Sequence, residues 1–166
     1  KEADVAQAVL NVCQKYGGGS VVLNNDVRLA ELGITDAVKA NFDSYVWDFS
    51  KDEGNIEKSA AANIGIVHGE YGLAESGGIV LFATKDNGRS TSLLPTTSVV
   101  VVRKSKVLPR VVQLAQILHE KAQVGERMPS CINIISGPSA TADIELIKVV
   151  GVHGPVSKIY VVIDDL

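Results

Sequence analysis

Apolar residues recur along the chain in two patterns, one typical of helices and one typical of buried strands. Within residues 2–16, valines and leucines return every three or four positions, which lines one face of a helix. A similar stripe runs through residues 110–123, and a glycine follows it. The alanine-rich residues 57–62 and the segment 143–150 are also predicted to be helical.

The segments between these helices are short and apolar at nearly every position, not at alternate ones. They are residues 21–23, 45–49, 64–67, 79–83, 99–102, 132–135 and 159–163. Continuous apolar runs are typical of strands that are covered on both faces. Because strands and helices interleave, we predict an α/β domain with three layers, α/β/α, and a mostly parallel sheet.

The composition is that of an ordinary compact domain of 166 residues. The longest uncharged run, residues 128–142, contains two prolines and a glycine. It is also shorter than the roughly 20 apolar residues that a membrane-spanning helix needs. The net charge of −3 lacks the basic excess of nucleic-acid-binding proteins. We therefore expect contact with neither membranes nor nucleic acids.

Two cysteines, Cys13 and Cys131, lie far apart in apolar stretches. They cannot supply a disulfide framework or the ligands of a zinc or iron–sulfur site, so we expect free thiols and no cofactor. The chain begins at Lys1 without a charged leader and an apolar run behind it. We expect a cytoplasmic protein that lacks part of its amino-terminal end.

Candidate chemistry should follow the strands, because ligands of open parallel sheets bind beyond the carboxyl ends of the strands. In residues 69–78, Glu75 lies among small residues and could act as a base or a nucleophile. The alternative is that Glu75 only holds a tight turn. In the turn at residues 85–90, Arg89 could grip a carboxylate or a phosphate, or could simply face solvent.

A loop of small residues at 136–142 leads from a strand into the helix predicted at 143–150. Free amides at a helix amino terminus attract anions, whereas Asp143 and Glu145 already place negative charge there. Helix capping alone is the alternative to ligand binding. The candidate ligand-binding residues of this loop are Gly137, Ser139, Thr141 and Asp143.

His153 lies between glycines just before the last predicted strand. It could carry protons near neutral pH, or it could only satisfy backbone groups of the turn. We predict that six side chains gather around one cleft at the carboxyl edge of the sheet, namely those of Glu75, Arg89, Ser139, Thr141, Asp143 and His153. We also predict that the amides of residues 137–141 open into that cleft, with any bound anion there or beside Arg89.

Four blocks of the sequence carry a family resemblance. They are Gly72-Leu73-Ala74-Glu75-Ser76-Gly77, then Asn87-Gly88-Arg89 with Leu94-Pro95, then Gly137-Pro138-Ser139-x-Thr141-Ala142-Asp143-Ile144-Glu145, and Gly151-Val152-His153-Gly154-Pro155. In this order the blocks resemble those of the LUD domain of the lactate utilisation protein C family, and the resemblance covers residues 54–166. Two departures are Ala140, where many members carry arginine, and Ser76, which replaces the commoner threonine.

The resemblance implies a single LUD domain over residues 1–166, with a fold like that of ribose phosphate isomerase, glucosamine phosphate deaminase and the CoA transferases. It implies a role in oxidising lactate to pyruvate beside two partner proteins, at least one of which carries iron–sulfur clusters. Glu75-Ser76-Gly77 is also similar to the Glu-Asn-Gly that presents the nucleophilic glutamate of CoA transferases.

Two other hypotheses remain open. One is a free-standing enzyme that acts on a small carboxylate, a thioester or a sugar phosphate through Glu75, Arg89 and His153. The other is a binding or regulatory module without catalysis. The expected partners are a small carboxylate or phosphorylated metabolite and the iron–sulfur subunits.

Overall fold

The computed structural model describes residues 2–143 and 146–166, and most of the predicted elements are present in it. The amphipathic stretches fold as helices with their apolar stripes turned inward. The helices are α1 (Val5–Lys15), α2 (Val27–Glu31), α3 (Ile34–Asn41), α4 (Asp52–Ala61), α5 (Ser90–Leu93) and α6 (Val111–Gln123). Single 3-10 turns lie at Glu2–Asp4, Phe49–Lys51 and Lys104–Lys106.

A parallel sheet of five strands forms the centre of the domain. In spatial order its strands are β2 (Asp43–Val46), β1 (Ser20–Leu23), β3 (Ile64–His68), β6 (Thr97–Arg103) and β11 (Ser157–Ile163). Every neighbouring pair is parallel. Helices α1 and α3 cover one face through a buried core that includes Val9, Cys13 and Val38. The predicted α/β class with a mostly parallel sheet is confirmed.

The other face of the parallel sheet carries a second sheet, which the sequence pattern did not predict. Its strands, in order, are β7 (Val107–Leu108), β4 (Tyr71–Leu73), β5 (Gly78–Ala83) and β8 (Cys131–Ser136). Ile79 and Leu81 of β5 pack on Val100 and Val102 of the parallel sheet. On its outer side the second sheet packs against α6 through Leu114. Both faces of its inner strand β5 are therefore covered, which gives β5 the same continuous apolar pattern, whereas the edge strand β8 stays partly exposed.

The helix predicted at residues 143–150 is wrong for the part of that segment that the structure describes. The chain instead forms an antiparallel ribbon of β9 (Ala140–Thr141) and β10 (Val149–Val150). Leu146 has a φ of 59°, outside the helical region. Two successive β-branched valines also favour a strand over a helix. Residues 144 and 145 of the predicted helix lie outside the described residues.

Helix α5 lies directly on β3 because residue 65 is a glycine. A Cβ atom at Gly65 would lie 1.9 Å from the carbonyl oxygen of Thr91, so no other residue allows this approach. Within the described residues, no helix is long and apolar enough to cross a membrane.

Candidate functional site

The order of the parallel strands places a topological switch point between β1 and β3. The chain adds β2 on one side of β1 and then adds β3, β6 and β11 successively on the other side. In sheets of this kind, ligands bind where the direction of winding reverses, beyond the carboxyl ends of the strands. Asn24 follows β1 and His68 ends β3, so both residues flank this point.

A small polar pocket lies at the switch point. We call it the switch-point pocket, and its polar lining consists mainly of Asn24, His68, Glu70, Asn87, Arg89 and Asn133. Its interior holds about 10 Å³ of solvent space, about enough for one water molecule. The pocket as it stands therefore admits one oxygen-bearing group, and anything larger must extend out through its mouth.

Several polar atoms buried in this pocket lack a hydrogen-bond partner among the described residues. They are Oδ1 of Asn24, Oδ1 of Asn87 and both ring nitrogens of His68. Asn24 and His68 are each only 6% exposed. A buried polar atom without a partner costs roughly 1–3 kcal/mol. Their grouping in one pocket is typical of a site completed by a ligand or by ordered water.

An ion cluster adjoins the pocket beside His68. Arg28 binds both carboxylate oxygens of Glu70, at 2.9 and 2.6 Å, and both of Asp26, at 2.9 and 2.6 Å. Asp26 also accepts a hydrogen bond from the Arg28 backbone at the start of α2. Burial raises the pKa of Asp26, but the hydrogen bonds and charge of Arg28 outweigh it and lower the pKa overall. The cluster thus sets one guanidinium against two carboxylates.

His68 is held in its neutral form. Burial and, after it, the positive charge of Arg28 lower the pKa of His68 to about 4, although the carboxylates of Asp26 and Glu70 oppose this shift. A neutral imidazole has one donor and one acceptor nitrogen. At neutral pH His68 can therefore accept a hydrogen bond from a hydroxyl group or donate one to a carbonyl.

Arg89 reaches the pocket from a tightly held turn. The Thr84 hydroxyl accepts hydrogen bonds from the backbone of Asp86 and Asn87, and Trp47 donates to the Lys85 carbonyl at 2.9 Å. A Cβ atom at Gly88 would lie 2.1 Å from the Trp47 ring. This close packing explains the glycine in the Asn87-Gly88-Arg89 block. The exposed Arg89 side chain has no ion pair in the described part of the chain.

A second pocket lies at the other end of α5. We call it the Lys158 pocket, since Lys158 of β11 lines it together with Gly137, Ser139 and His153. Ser92 of α5 lines both pockets, which are therefore neighbours. The Ser139 N–H donates to the Pro155 carbonyl at 2.9 Å, and the Gly151 N–H donates to the Ser139 carbonyl at 2.9 Å. The last two blocks of the sequence resemblance thus meet in space.

The prediction of a single cleft is wrong, because the structure divides the candidate residues between separate places. Arg89 lies at the carboxyl edge as predicted, whereas Gly137, Ser139 and His153 lie in the Lys158 pocket near the start of β11. The reason is that β8 belongs to the second sheet and not to the parallel sheet that contains β3. Its last residue therefore does not reach the carboxyl edge of the parallel sheet.

The prediction that the amides of residues 137–141 open into a cleft is also wrong. The Gly137 N–H donates to the Tyr160 hydroxyl at 3.3 Å, and that of Ser139 donates to Pro155. Thr141 lies in the β9–β10 ribbon, where its hydroxyl accepts a hydrogen bond from the backbone of Asp143 at 3.3 Å. Neither Thr141 nor Asp143 lines the two pockets.

Glu75 lies apart from both pockets. It occupies the exposed turn between β4 and β5, where its carboxylate accepts a hydrogen bond of 2.7 Å from the Val111 N–H in the first turn of α6. This contact is the kind that the turn-holding alternative requires. A catalytic role for Glu75 stays a prediction.

The two cysteines are free thiols, as expected. Cys13 is fully buried, and burial raises its pKa to about 11. Cys131 is half-buried on β8. Across residues 2–143 and 146–166, no three His, Cys, Asp or Glu side chains are grouped closely enough to hold a metal ion.

Sequence reasoning missed Asn24, His68 and Lys158 as site residues. A usable signal existed for the first two, because each stands at the carboxyl end of a predicted apolar strand. No comparable signal marks Lys158, since its surroundings come from four elements that are distant in sequence.

Comparison with known proteins gives consistent matches over nearly the whole chain. The sequence model of the LUD domain family matches residues 1–163. YkgG of Escherichia coli K12 is 57% identical over 164 residues, which cover 99% of this chain and 71% of YkgG. Lactate utilization protein C of Halalkalibacterium halodurans is 46% identical, covering 96% of this chain and 69% of that protein. Lactate utilization protein C of Bacillus subtilis 168 is 45% identical, and the match covers 91% of this chain and 65% of that protein.

One solved structure supports the fold. The crystal structure of a DUF162 family protein from Deinococcus radiodurans superposes with a TM-score of 0.54 and covers 98% of both chains. At 18% identity this likeness concerns the fold alone. The expected likeness to ribose phosphate isomerase, glucosamine phosphate deaminase and the CoA transferases stays a prediction.

Proposed function

Because the chain belongs to the LUD domain family, we propose that it is a component of a lactate-utilisation system whose switch-point pocket binds lactate or pyruvate. Relatives that are 41–57% identical include several named lactate utilization protein C, which supports the role. The pocket supports the ligand class. The observation that carries the proposal is a group of buried polar atoms that lie beside Arg89 and, like its guanidinium, have no partner among the residues that the structure describes.

The chemistry of the pocket suits a small hydroxy or oxo acid. Arg89 can bind the planar carboxylate at the mouth through two hydrogen bonds. Neutral His68 and the Asn24 amide can take the hydroxyl or oxo oxygen inside, where the space fits one such group. The carboxylate would then lie on the Arg89 side and away from the negative cluster of Asp26, Arg28 and Glu70.

The oxidation of lactate to pyruvate releases two electrons and two protons, which other groups must accept. We propose that iron–sulfur partner proteins take the electrons. A cluster usually has four cysteine ligands, whereas this chain has two cysteines in separate places. The free thiols also support a reducing compartment, so we propose a cytoplasmic location.

A binding experiment tests the pocket. The purified chain is titrated with L-lactate and with pyruvate while backbone amide shifts are followed by NMR. His68→Phe and Arg89→Met should each weaken binding roughly tenfold or more, because each removes hydrogen bonds to a charged or buried ligand group. His119→Gln on α6 and Arg127→Met in an exposed loop are the matched controls and should leave the affinity unchanged.

The cellular role is tested separately by deleting the gene in its native host. Growth on lactate should fail while growth on pyruvate continues, and iron–sulfur proteins should co-purify with the tagged chain. Unimpaired growth on lactate would overturn the proposed role, whatever the binding result. Turnover of a carboxylate, thioester or sugar phosphate by the purified chain alone would favour the free-standing enzyme instead.

A further inference from the structure

Lys158 places a positive charge inside the second pocket, where the proposed function makes no use of it. The side chain projects from β11, and its amine lies 3.4 Å from the hydroxyl of Ser98 on β6, which is fully buried. Lys158 and Ser98 lie directly opposite each other on the paired strands β11 and β6. The lysine is therefore held in place on the face of the parallel sheet and does not extend into bulk solvent.

Lys158 has no counter-ion in the described part of the chain. Among the described residues no carboxylate lies within ion-pair distance of its amine, and the polar contact it makes there is the long hydrogen bond to Ser98. Lys158 is half-buried, and a charge that is taken partly out of water is normally paired because its desolvation is costly. Burial lowers the pKa of Lys158 to about 8, so the amine is still mostly protonated at pH 7. The pocket thus holds an unbalanced cation.

The rest of the lining combines serines, glycines and one histidine with apolar residues such as Leu93, Ile135 and Pro155. Ser136 of β8 and Ser139 of the loop that follows it contribute hydroxyls, whereas the Ser92 hydroxyl already donates to the Arg89 carbonyl at 3.1 Å. Gly154 allows a close approach of the chain to Ser139, because a Cβ atom at residue 154 would lie 3.2 Å from the Ser139 Cβ atom. The pocket encloses about 330 Å³, which is the lower end of the range for metabolite sites.

We propose that the Lys158 pocket binds the phosphate group of a small metabolite. A lysine acts as a point charge toward tetrahedral phosphate, whereas planar carboxylates are better matched by arginine. The hydroxyls of Ser136 and Ser139 can donate to the remaining phosphate oxygens. The site is distinct from the switch-point pocket, so the two proposals can fail independently.

Direct titration tests the proposal with inorganic phosphate and with ribose 5-phosphate as probes, followed by calorimetry at pH 7. Lys158→Met should weaken the binding of both probes roughly tenfold or more, because it removes a charge-assisted hydrogen bond. Lys158→Arg keeps the charge and should retain most of the affinity. Lys106→Met changes an exposed lysine elsewhere and should have no effect.

The two probes distinguish free phosphate from a phosphate ester, since tighter binding of ribose 5-phosphate would point to an organic phosphate. Equal affinity would point to free phosphate as the ligand. Binding of phosphate that Lys158→Met leaves unchanged would overturn the proposal, as would binding of lactate but not phosphate in this pocket. Lys158→Met removes a buried charge and should fold, which a thermal melt verifies.

An NMR measurement on the folded wild-type chain distinguishes phosphate binding by Lys158 from a purely structural role of this residue. With ¹³C-labelled lysine, the amine of Lys158 should titrate near pH 8, and phosphate should raise that pKa because the anion stabilises the charged form. Lys158 and His153 are the titratable groups that line the pocket. His119→Gln, which changes an exposed histidine on α6 outside the pocket, should leave the lysine shift in place. A titration that phosphate does not alter would contradict the proposal.

Discussion

At the scale of single residues, the site depends on side chains whose ordinary properties change through burial. His68 and Asn24 are polar residues at the ends of apolar strands, and buried atoms of both lack partners among the described residues. Arg28 has the opposite situation, because its guanidinium is bound by Asp26 and Glu70. The cation available to a ligand in the switch-point pocket is therefore Arg89 and not the half-buried Arg28 nearby.

The depressed pKa of His68 predicts a loss of stability in mild acid. Unfolded histidine takes up a proton near pH 6.5 while folded His68 does so only near pH 4, so the free energy of unfolding should fall as pH drops between these values. The expected loss is about 2–3 kcal/mol, measured by urea unfolding at pH 7 and at pH 4.5.

His68→Gln should remove most of this pH dependence, whereas His119→Gln should keep it. Asp26 also contributes to the free energy of unfolding, but because its pKa is lowered, that contribution is lost only at a pH more acidic than the range in which His68 acts. A wild-type stability that is flat from pH 7 to pH 4.5 would show that His68 is not buried in its neutral form.

At the scale of elements, side-chain contacts with neighbouring elements hold the turns and the short helix that border the two pockets. The turn before β5 is joined to α6 by Glu75, and the turn before α5 is joined to Trp47 through Gly88. Helix α5 has only four residues, yet its contact with Gly65 fixes it between the two pockets. Short elements of this kind gain their stability from tertiary contacts and not from helix propensity.

Glu75→Gln tests whether this carboxylate serves the helix or a reaction. Its hydrogen bond to the first turn of α6 predicts a loss of roughly 0.5–1 kcal/mol on substitution, with ligand binding and growth on lactate retained. Chemical unfolding of the variant measures this, with the exposed Glu120→Gln as the matched control. Unchanged stability together with a hundredfold loss of activity would restore the catalytic interpretation.

At the scale of the whole molecule, the two sheets and the connection between β8 and β11 meet at Tyr160. Its hydroxyl donates to the Gly77 carbonyl at 2.8 Å and accepts from the Gly137 N–H at 3.3 Å. It thus joins a strand of the parallel sheet to the β4–β5 turn and to the loop that borders the Lys158 pocket. The packing of Tyr160 between the sheets supplies the apolar part of the same contact.

Tyr160→Phe should keep the packing and remove both hydrogen bonds. The expected loss of stability is about 1–2 kcal/mol, and exchange of the Gly137 amide with deuterium should become faster. Tyr71→Phe on the outer face of the second sheet serves as the control. If the Gly137 amide exchanged at the wild-type rate in Tyr160→Phe, this hydroxyl would not hold the loop.

The sequence by itself determined the secondary structure over most of the chain and the α/β class. Periodicity indicates whether one or both faces of an element are buried, and burial of both faces produced the apolar runs of β3, β5 and β6. It also determined that Arg89 would lie on a turn, because Asp86, Asn87 and Gly88 are turn residues.

Only the tertiary structure decided which strands share a sheet, and with that the position of every candidate residue. Apolar runs look alike in a parallel sheet and in a second sheet packed on it, so the pattern could not separate β5 and β8 from β3 and β6. The burial of His68, the lack of a counter-ion for Lys158 among the described residues and the separation of Glu75 from both pockets all follow from that assignment. Each depends on groups brought together from distant parts of the chain, which no local pattern contains.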